Sequence, residues 1–168
     1  MIKIVINYIS LPGMLILFLF SLTTINCTLY RQDKDLRAQE KVVRTKVVEK
    51  ARDLQGVKYR YAGKSPKGFD CSGFTWYVFK DKGIRLAASS TLQSKQGKFK
   101  EINDVKKGDL VFFGPPFKID HVGIVTQNKN GKLMIIHSTN SQGVVEHDIN
   151  QILYWKKRLK FARDVISP

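Results

Sequence analysis

The chain has 168 residues, which is room for one domain of ordinary size and a leader or tail segment. Its hydrophobic share of 43% and its 10 Phe, 6 Tyr and 2 Trp residues can build a core, which argues against intrinsic disorder as the overall state. Two cysteines exclude a disulfide scaffold and a four-cysteine metal site. The net charge of +15 predicts an acidic partner: nucleic acid, an anionic membrane or an acidic wall polymer.

Residues 1–26 predict a secretory signal peptide. Lys3 is the only charged residue before Arg31, and the stretch between Leu11 and Leu22 is almost entirely apolar. The alternative is a retained membrane anchor, which an early Pro-Gly pair in the apolar run disfavours. Cleavage would leave the mature chain outside the cytoplasm.

Cys27 directly follows this leader, in the sequence Thr24-Ile25-Asn26-Cys27. The tetrapeptide resembles a bacterial lipobox, in which the cysteine becomes the lipidated first residue of the mature protein. Plain secretion is the alternative. If Cys27 is lipidated or removed, Cys71 is the one thiol left, so a disulfide within the chain is excluded.

Residues 27–39 predict a polar tether, and residues 40–168 predict a single domain. Between Leu36 and Leu54, apolar residues recur at positions 36, 43, 47, 51 and 54, which is the spacing of one helical stripe. Gly56 is a suitable residue to end this helix. Charges of both signs lie between the apolar positions, so we expect the helix to pack on the domain rather than on a membrane.

A second helix is predicted from Cys71 to about Lys82, with Asp70 as its N-cap and Gly83 as its end. Beyond it, the apolar pattern becomes that of short strands separated by turn residues. The predicted strands are Asp109–Phe113, His121–Thr126, Lys132–His137, Gly143–Asp148 and Arg158–Val165. Helices followed by hairpin-linked strands predict an α+β fold, with N-terminal helices packed on an antiparallel sheet.

Cys71 falls in the first turn of the second predicted helix. Unpaired backbone N–H groups and the helix dipole stabilise a thiolate at such a position. Ser72 and Gly73 leave the backbone uncluttered, so that a substrate carbonyl can approach. Taken alone, Cys71 is better explained as a small buried hydrophobic residue, and only a partner base changes that interpretation.

Two of the three histidines, His121 and His137, lie in neighbouring predicted strands. A five-residue loop at residues 127–131 would place them directly opposite each other on one face of the sheet. A two-residue turn at Asn130-Gly131, which the sequence favours locally, would put them on opposite faces unless a strand carries a bulge. Pairing of the two rings therefore predicts the longer loop.

With the rings paired, His121 can take the proton of Cys71 while His137 orients His121, which is the cysteine–base–orienter arrangement of acyl transfer. A metal site made of these three residues and Asp120 is the competing interpretation. Its spacing matches no usual zinc motif, so we expect no metal and no cofactor. His147 has no matching partner and is predicted at the surface or at a strand edge.

Six short motifs follow one another along the mature chain: GVKYRYAG at 56–63, GFDCSGF at 68–74, KGDLVFF at 107–113, DHVGIV at 120–125, HS at 137–138 and YWKKR at 154–158. Together they resemble the NlpC family of bacterial cell-wall cysteine endopeptidases. The resemblance covers about residues 40–166, and the ordered set is far more specific than a lone DCSG.

The resemblance implies a papain-like α+β fold in permuted order, in which Cys71 is the nucleophile and the paired histidines are the general base and its orienting partner. It implies that Tyr59 lines the site, where its hydroxyl could serve the oxyanion. Asp70 and Ser72 match positions that help to hold the substrate amine in family members acting on free stem-peptide ends. For Asp70, a plain helix cap is the alternative.

These features predict a secreted or lipid-anchored peptidoglycan endopeptidase of the bacterial envelope, which hydrolyses an amide bond in wall stem peptides through a thioester. The basic charge suits anionic membrane lipid or a wall polymer. The basic residues are scattered, without a basic helix or an aromatic stacking motif, so we expect no nucleic-acid partner, and we expect a monomer. Two alternatives stay open: a catalytically silent wall- or membrane-binding lipoprotein, and an acyl- or amidotransferase on the same scaffold.

Overall fold

The computed structural model describes the backbone of residues 11–167 and the side chains of residues 29–167. The side chains of the predicted signal peptide and of Cys27 lie outside this description, as do residues 1–10 altogether. The chain divides into two compact units at the Gln39–Glu40 boundary. In the part of the chain that is described, none of the helices combines the length and the apolar character that a membrane span requires.

Helix α1 extends from Leu11 to Arg52. The segment 27–39, which we predicted as a tether, is therefore helical. The physical reason is its content of good helix formers, namely Arg, Gln, Lys, Ala and Leu, in a stretch from residue 14 to residue 55 that holds no Gly or Pro. Within the first unit, Asp33 and Arg37 form an exposed ion pair one turn apart.

The second unit contains three further helices and two 3-10 turns. Helix α2 begins at Cys71, as the Asp70 cap predicts, and ends at Lys80, two residues earlier than expected. The others are short: α3 (Ser90–Gln93), α4 (Leu153–Arg158) and the 3-10 turns Ile102–Asp104 and Ile149–Gln151.

Eight strands accompany these helices. Strands β1 (Lys64–Ser65) and β2 (Gly68–Phe69) form a small antiparallel pair just before α2. The other six form one antiparallel sheet in the order β3-β8-β4-β5-β6-β7. They are β3 (Lys98–Lys100), β4 (Leu110–Phe113), β5 (His121–Lys129), β6 (Lys132–Thr139), β7 (Gly143–Asp148) and β8 (Leu159–Asp164). The predicted α+β class is confirmed, and β3 is a strand that the sequence analysis did not anticipate.

Both faces of the sheet are covered by apolar side chains. Alternate residues of β4 show the division. Leu110 and Phe112 pack with Val47 of α1 and Phe74 of α2, whereas Val111 and Phe113 face a second, smaller core. The larger core holds α2 against the sheet. The N-terminal end of α2 is thereby fixed beside the start of β5.

A buried ion cluster attaches the last turns of α1 to the sheet. Arg44 donates to Asp109 at the start of β4 over 2.6 Å and to Asp164 at the end of β8 over 2.5 Å. Its third ion pair, at 2.6 Å, is with Glu40 on α1 itself. All three groups at its centre are buried, since Arg44 is 6% exposed, Asp109 0% and Asp164 2%.

The hairpin of β5 and β6 differs from the prediction of a five-residue loop, which is wrong. Its turn is the two-residue Asn130-Gly131, with φ of 55° and 73°, and Lys129 pairs with Lys132. Positive φ at both central residues suits a type I′ turn, which matches the twist of the strands. Val125 pairs with Ile135 but Gln127 with Met134, so Thr126 is an extra residue in β5.

This β-bulge keeps His121 and His137 on the same face of the sheet. A two-residue turn alone would have placed them on opposite faces, and the extra residue at Thr126 reverses that alternation. The two histidines are offset by two residues along the strands instead of lying directly opposite each other, because Ile124 pairs with Ile136 in this register.

Candidate active site

Cys71 lies at the first position of α2, against the beginning of β5. Its thiol donates to the carbonyl oxygen of Asp120 over 3.9 Å, and the backbone N–H of Val122 acts to lower the pKa of the thiol. The residue between these two backbone groups is His121. The fold therefore brings the thiol to the strand position that carries the proposed base.

A cleft of about 520 Å³ opens over the thiol. Cys71 and His121 both border it, together with Tyr59, whereas His137 is fully buried behind the cleft wall. The remaining lining residues are mainly polar or aromatic: Asp120, Thr139, Asn140, Ser141, Gln142, His147, Tyr154, Trp155 and Arg158. Such a cleft can receive a short polar chain beside the sulfur.

Three histidine rings form a continuous hydrogen-bonded chain behind Cys71. His121 Nε2 and His137 Nδ1 are 2.9 Å apart, and His137 Nε2 and His147 Nδ1 are 3.0 Å apart. Because Nε2 of His121 is used by His137, its Nδ1 is the nitrogen left for the thiol. The expectation that His147 has no partner is wrong, since His147 on the edge strand β7 lies diagonally across from His137 on the same face.

Gly123 has no side chain, which leaves room for Ile135 and His137 beside it. A Cβ atom at Gly123 would lie 2.5 Å from a methyl carbon of Ile135 and 3.1 Å from Cβ of His137. Any larger residue would push the strand β6 backbone and the His137 ring away. Glycine at this position therefore permits β5 and β6 to lie close together beside the histidines.

Trp155, on α4, shields the rings of His121 and His137 from water. Its ring centroid is 4.6 Å from that of His121 and 4.7 Å from that of His137, and Phe113 packs edge-on against it at 5.3 Å. Burial lowers the pKa of His121 to about 4, with a smaller contribution from the positive charge of Arg158. Burial also lowers the pKa of His137 to about 2, so that both rings are neutral at neutral pH.

Burial likewise dominates the titration of Cys71. It raises the pKa of the thiol to about 11, and the negative charge of Asp70 adds to the shift. Backbone N–H groups at the helix start act in the opposite direction, as expected from the sequence, but burial outweighs them. Burial therefore favours the neutral form of both the Cys71 thiol and the His121 imidazole.

Asp70 and Ser72 brace the first turn of α2 and do not border the cleft. Asp70 Oδ1 accepts from the backbone N–H of Gly73 at 2.6 Å and from the Ser72 hydroxyl at 3.0 Å. The buried Gln93 side chain donates to the Ser72 carbonyl at 3.0 Å. Their observed contacts are those of a helix cap, which was the alternative for Asp70.

One wall of the cleft is formed by an ion pair that the sequence analysis missed. The Arg158 guanidinium donates to both carboxylate oxygens of Asp120, at 2.8 and 2.6 Å, and lies over the ring of Tyr154. This pair ties α4 to the residue before His121. Among the residues described, no group of three or more His, Cys, Asp or Glu side chains is arranged to hold a metal ion.

A thiol at a helix N-terminus, set against a histidine on an antiparallel sheet, defines the papain-like class of cysteine peptidases. Comparison with known proteins agrees with this class. The model of the NlpC/P60 family matches residues 56–164. The chain belongs to the NlpC/P60 family, whose members are cysteine peptidases, and the resemblance seen in the sequence is confirmed.

Two curated relatives and one solved structure show how far the similarity extends. The "Murein DD-endopeptidase MepS/Murein LD-carboxypeptidase" of Escherichia coli is 36% identical over 126 residues, which cover 74% of this chain and 64% of that protein. The "Gamma-DL-glutamyl hydrolase" of Bacillus subtilis is 34% identical over 122 residues, covering 72% of this chain and 30% of that protein. The solved NlpC/p60 domain of the peptidoglycan hydrolase SagA is 29% identical, with a TM-score of 0.62, over 72% of this chain and 97% of that domain.

Proposed function

We propose that this protein is a peptidoglycan endopeptidase, which hydrolyses an amide bond in cell-wall stem peptides through a thioester on Cys71. The observation that carries the proposal is the Cys71 thiol in an open polar cleft, backed by the hydrogen bond between His121 and His137. Membership of the NlpC/P60 family supports it, as do the names of the relatives, two of which refer to murein or peptidoglycan.

His121 acts as the general base in the proposed reaction. As the sulfur attacks the substrate carbonyl, Nδ1 of His121 takes the thiol proton, and the Nε2 hydrogen bond to His137 orients the ring. The same proton then passes to the leaving amine, so that the amide bond breaks and a thioester remains on Cys71. Water activated by His121 hydrolyses the thioester and releases the free thiol.

Three further side chains have proposed roles in substrate binding. The Tyr59 hydroxyl, at the cleft border, stabilises the oxyanion that forms during attack. Asp70 and Ser72 hold the amine of a stem peptide with a free end, as the family resemblance implies. For these two the support is the resemblance alone, since their contacts within the protein are those of a cap.

We propose the bacterial envelope as the place of action. Residues 1–26 act as a signal peptide and Cys27 is the lipidated first residue of the mature, monomeric protein. The apolar leader and the murein-related names of the relatives support this location. The net charge of +15 favours retention by anionic lipid or by an acidic wall polymer.

The proposal is tested by incubating the purified protein with peptidoglycan and identifying the released fragments by mass spectrometry. Cys71→Ala serves as the matched control, because it removes the nucleophile and leaves the helix cap of α2 in place. We expect new stem-peptide fragments from the wild type alone, and their masses name the bond. Binding without fragments would favour the silent lipoprotein, and products joined to an added amine in place of water would favour the transferase.

A further inference from the structure

The third histidine of the chain has no role in the reaction described above. His147 borders the cleft on the edge strand β7, and its ring meets that of His137 edge-on, with centroids 5.2 Å apart. The contact is made through Nδ1 of His147 and Nε2 of His137. His137 is fully buried, so this chain of rings meets the cleft at its two ends, His121 and His147.

We propose that His147 is a positioning residue, which fixes the proton of His137 on Nε2 and thereby keeps Nδ1 of His121 free to take the proton of Cys71. The inference rests on the proposed function, because it concerns the orientation of the proposed base. It adds a fourth member to a set that the sequence analysis limited to three.

A neutral imidazole has one donor and one acceptor nitrogen, so each ring passes on the direction of the hydrogen bonds in the chain. For His121 to accept a proton on Nδ1, its own hydrogen must sit on Nε2, and Nε2 then donates to Nδ1 of His137. His137 must in turn carry its hydrogen on Nε2. That hydrogen needs an acceptor, which Nδ1 of His147 supplies at 3.0 Å.

The opposite direction of donation would disable the base. With the hydrogen of His147 on Nδ1, His137 would accept on Nε2 and donate from Nδ1 to Nε2 of His121. The hydrogen of His121 would then sit on Nδ1, facing the thiol, where no further proton can be taken. Two directions are therefore available to a neutral chain of three rings, and one of them is productive.

Removal of the His147 acceptor leaves the His137 Nε2–H unpaired in a fully buried ring. A buried donor without a partner is costly, so the productive tautomer of His137 loses its advantage over the other. We expect kcat to fall about tenfold or more, which corresponds to a rise of about 1.4 kcal/mol in the activation free energy. We expect KM to change less than about twofold.

Two substitutions of His147 distinguish a role in positioning His137 from a role in packing alone. His147→Leu fills the space without an acceptor and prevents a water molecule from taking its place. His147→Asn offers a side-chain amide oxygen close to the position of Nδ1 and restores the acceptor. We expect low kcat in the first variant and a return towards the wild-type value in the second.

The direct readout is the tautomer of each ring in the intact protein, measured by long-range proton–nitrogen correlation NMR after labelling the histidines with 15N. We expect His121 and His137 to be single Nε2–H tautomers in the wild type and in His147→Asn. In His147→Leu, we expect His137 to be the Nδ1–H tautomer or a mixture of the two. Gln142→Leu is the matched control, because Gln142 lines the same cleft and makes no side-chain bond to the three rings. Its His137 tautomer is expected to equal that of the wild type.

An Nδ1–H tautomer of His137 in the wild type would overturn the inference, even if no variant folded. An unchanged His137 tautomer in His147→Leu would also overturn it, as would a kcat that His147→Asn does not restore. Failure of the proposed function looks different: the wild type would release no stem-peptide fragments, while the tautomers could still be measured.

Discussion

At the scale of single residues, water exclusion sets the chemistry of the site. Trp155 and Phe113 cover the rings of His121 and His137, and burial favours the neutral forms of both imidazoles and of the Cys71 thiol. In the proposed reaction, the thiol proton therefore moves when the substrate arrives, and the direction of the hydrogen bonds behind His121 decides whether His121 can accept it.

Replacing Trp155 by Leu should shift the pH dependence of the reaction. The folded-state pKa of His121 is lowered to about 4, so activity is lost as the pH falls through this region and the ring becomes protonated. Partial exposure of the ring brings its pKa back towards the ordinary value, and the acid limb of kcat/KM then moves to higher pH.

The control for this prediction is Trp76→Leu, which truncates a tryptophan on α2 that lies outside the cleft and packs under Lys80. We expect its acid limb to match that of the wild type in the same assay of kcat/KM against pH. An acid limb in Trp155→Leu that coincides with the wild type would mean that shielding by Trp155 does not set the pKa of His121.

The sequence placed Cys71, His121 and His137 in motifs whose chemistry needs those residue types, and the fold brings Cys71 and His121 to one cleft with His137 bonded behind His121. It did not reveal the contact between His147 and His137. That contact depends on the pairing of Ile135 with His147 across β6 and β7, and the register of two strands is fixed by the turn between them and by core packing. The Asp120–Arg158 ion pair was not predicted for a similar reason, since its partners are far apart in the chain.

At the scale of elements, one extra residue decides which face of the sheet carries His121. Thr126 is the bulged residue of β5, and its hydroxyl donates to the Met134 carbonyl across the hairpin at 3.2 Å and contacts Glu146. The dipeptide Asn130-Gly131 locally favours a two-residue turn, and the hairpin has this turn. A bulge has no comparable residue signature, so the sequence analysis chose a longer loop to satisfy the same face requirement.

Deletion of Thr126 should abolish hydrolysis. Without the extra residue, the alternation of β5 is reversed on one side of the hairpin, and His121 moves to the face opposite His137. We expect the rate of stem-peptide release to fall by about a hundredfold or more, which is the scale of the loss of a general base.

Thr126→Val is the matched variant, because it keeps the residue count and removes only the hydroxyl. It should retain the hairpin register and most of the activity, as judged by fragment release and by circular dichroism. Substantial hydrolysis by the deletion variant would show that the bulge does not determine the position of His121.

At the scale of the whole molecule, the buried cluster around Arg44 joins distant parts of the second unit. Its partners Asp109 and Asp164 stand at the start of β4 and near the end of the chain, and Glu40 lies one turn earlier on α1. The sequence predicted that the apolar stripe of α1 would pack on the domain, and Val47 and Ala51 do so. It gave no indication of the ion cluster, because two acidic partners separated by 55 residues meet only in the folded sheet.

Arg44→Met should lower the free energy of unfolding by about 3–5 kcal/mol, because it leaves two buried carboxylates without a counter-charge. Urea titration followed by circular dichroism measures this loss. Adding Asp109→Asn and Asp164→Asn to the same variant removes the uncompensated charges and should recover part of it. A loss below about 1 kcal/mol in Arg44→Met would show that the cluster contributes little to holding α1 against the sheet.

The proposed mechanism requires a thioester at Cys71, which is tested by the intact mass of the protein, quenched in acid during turnover of a stem peptide. We expect a wild-type species heavier by the acyl part of the substrate, with the added mass on the peptide that contains Cys71, and no such species in Cys71→Ala. Fragment release at an undiminished rate by Cys71→Ala would contradict it, as would an acyl group on any other residue.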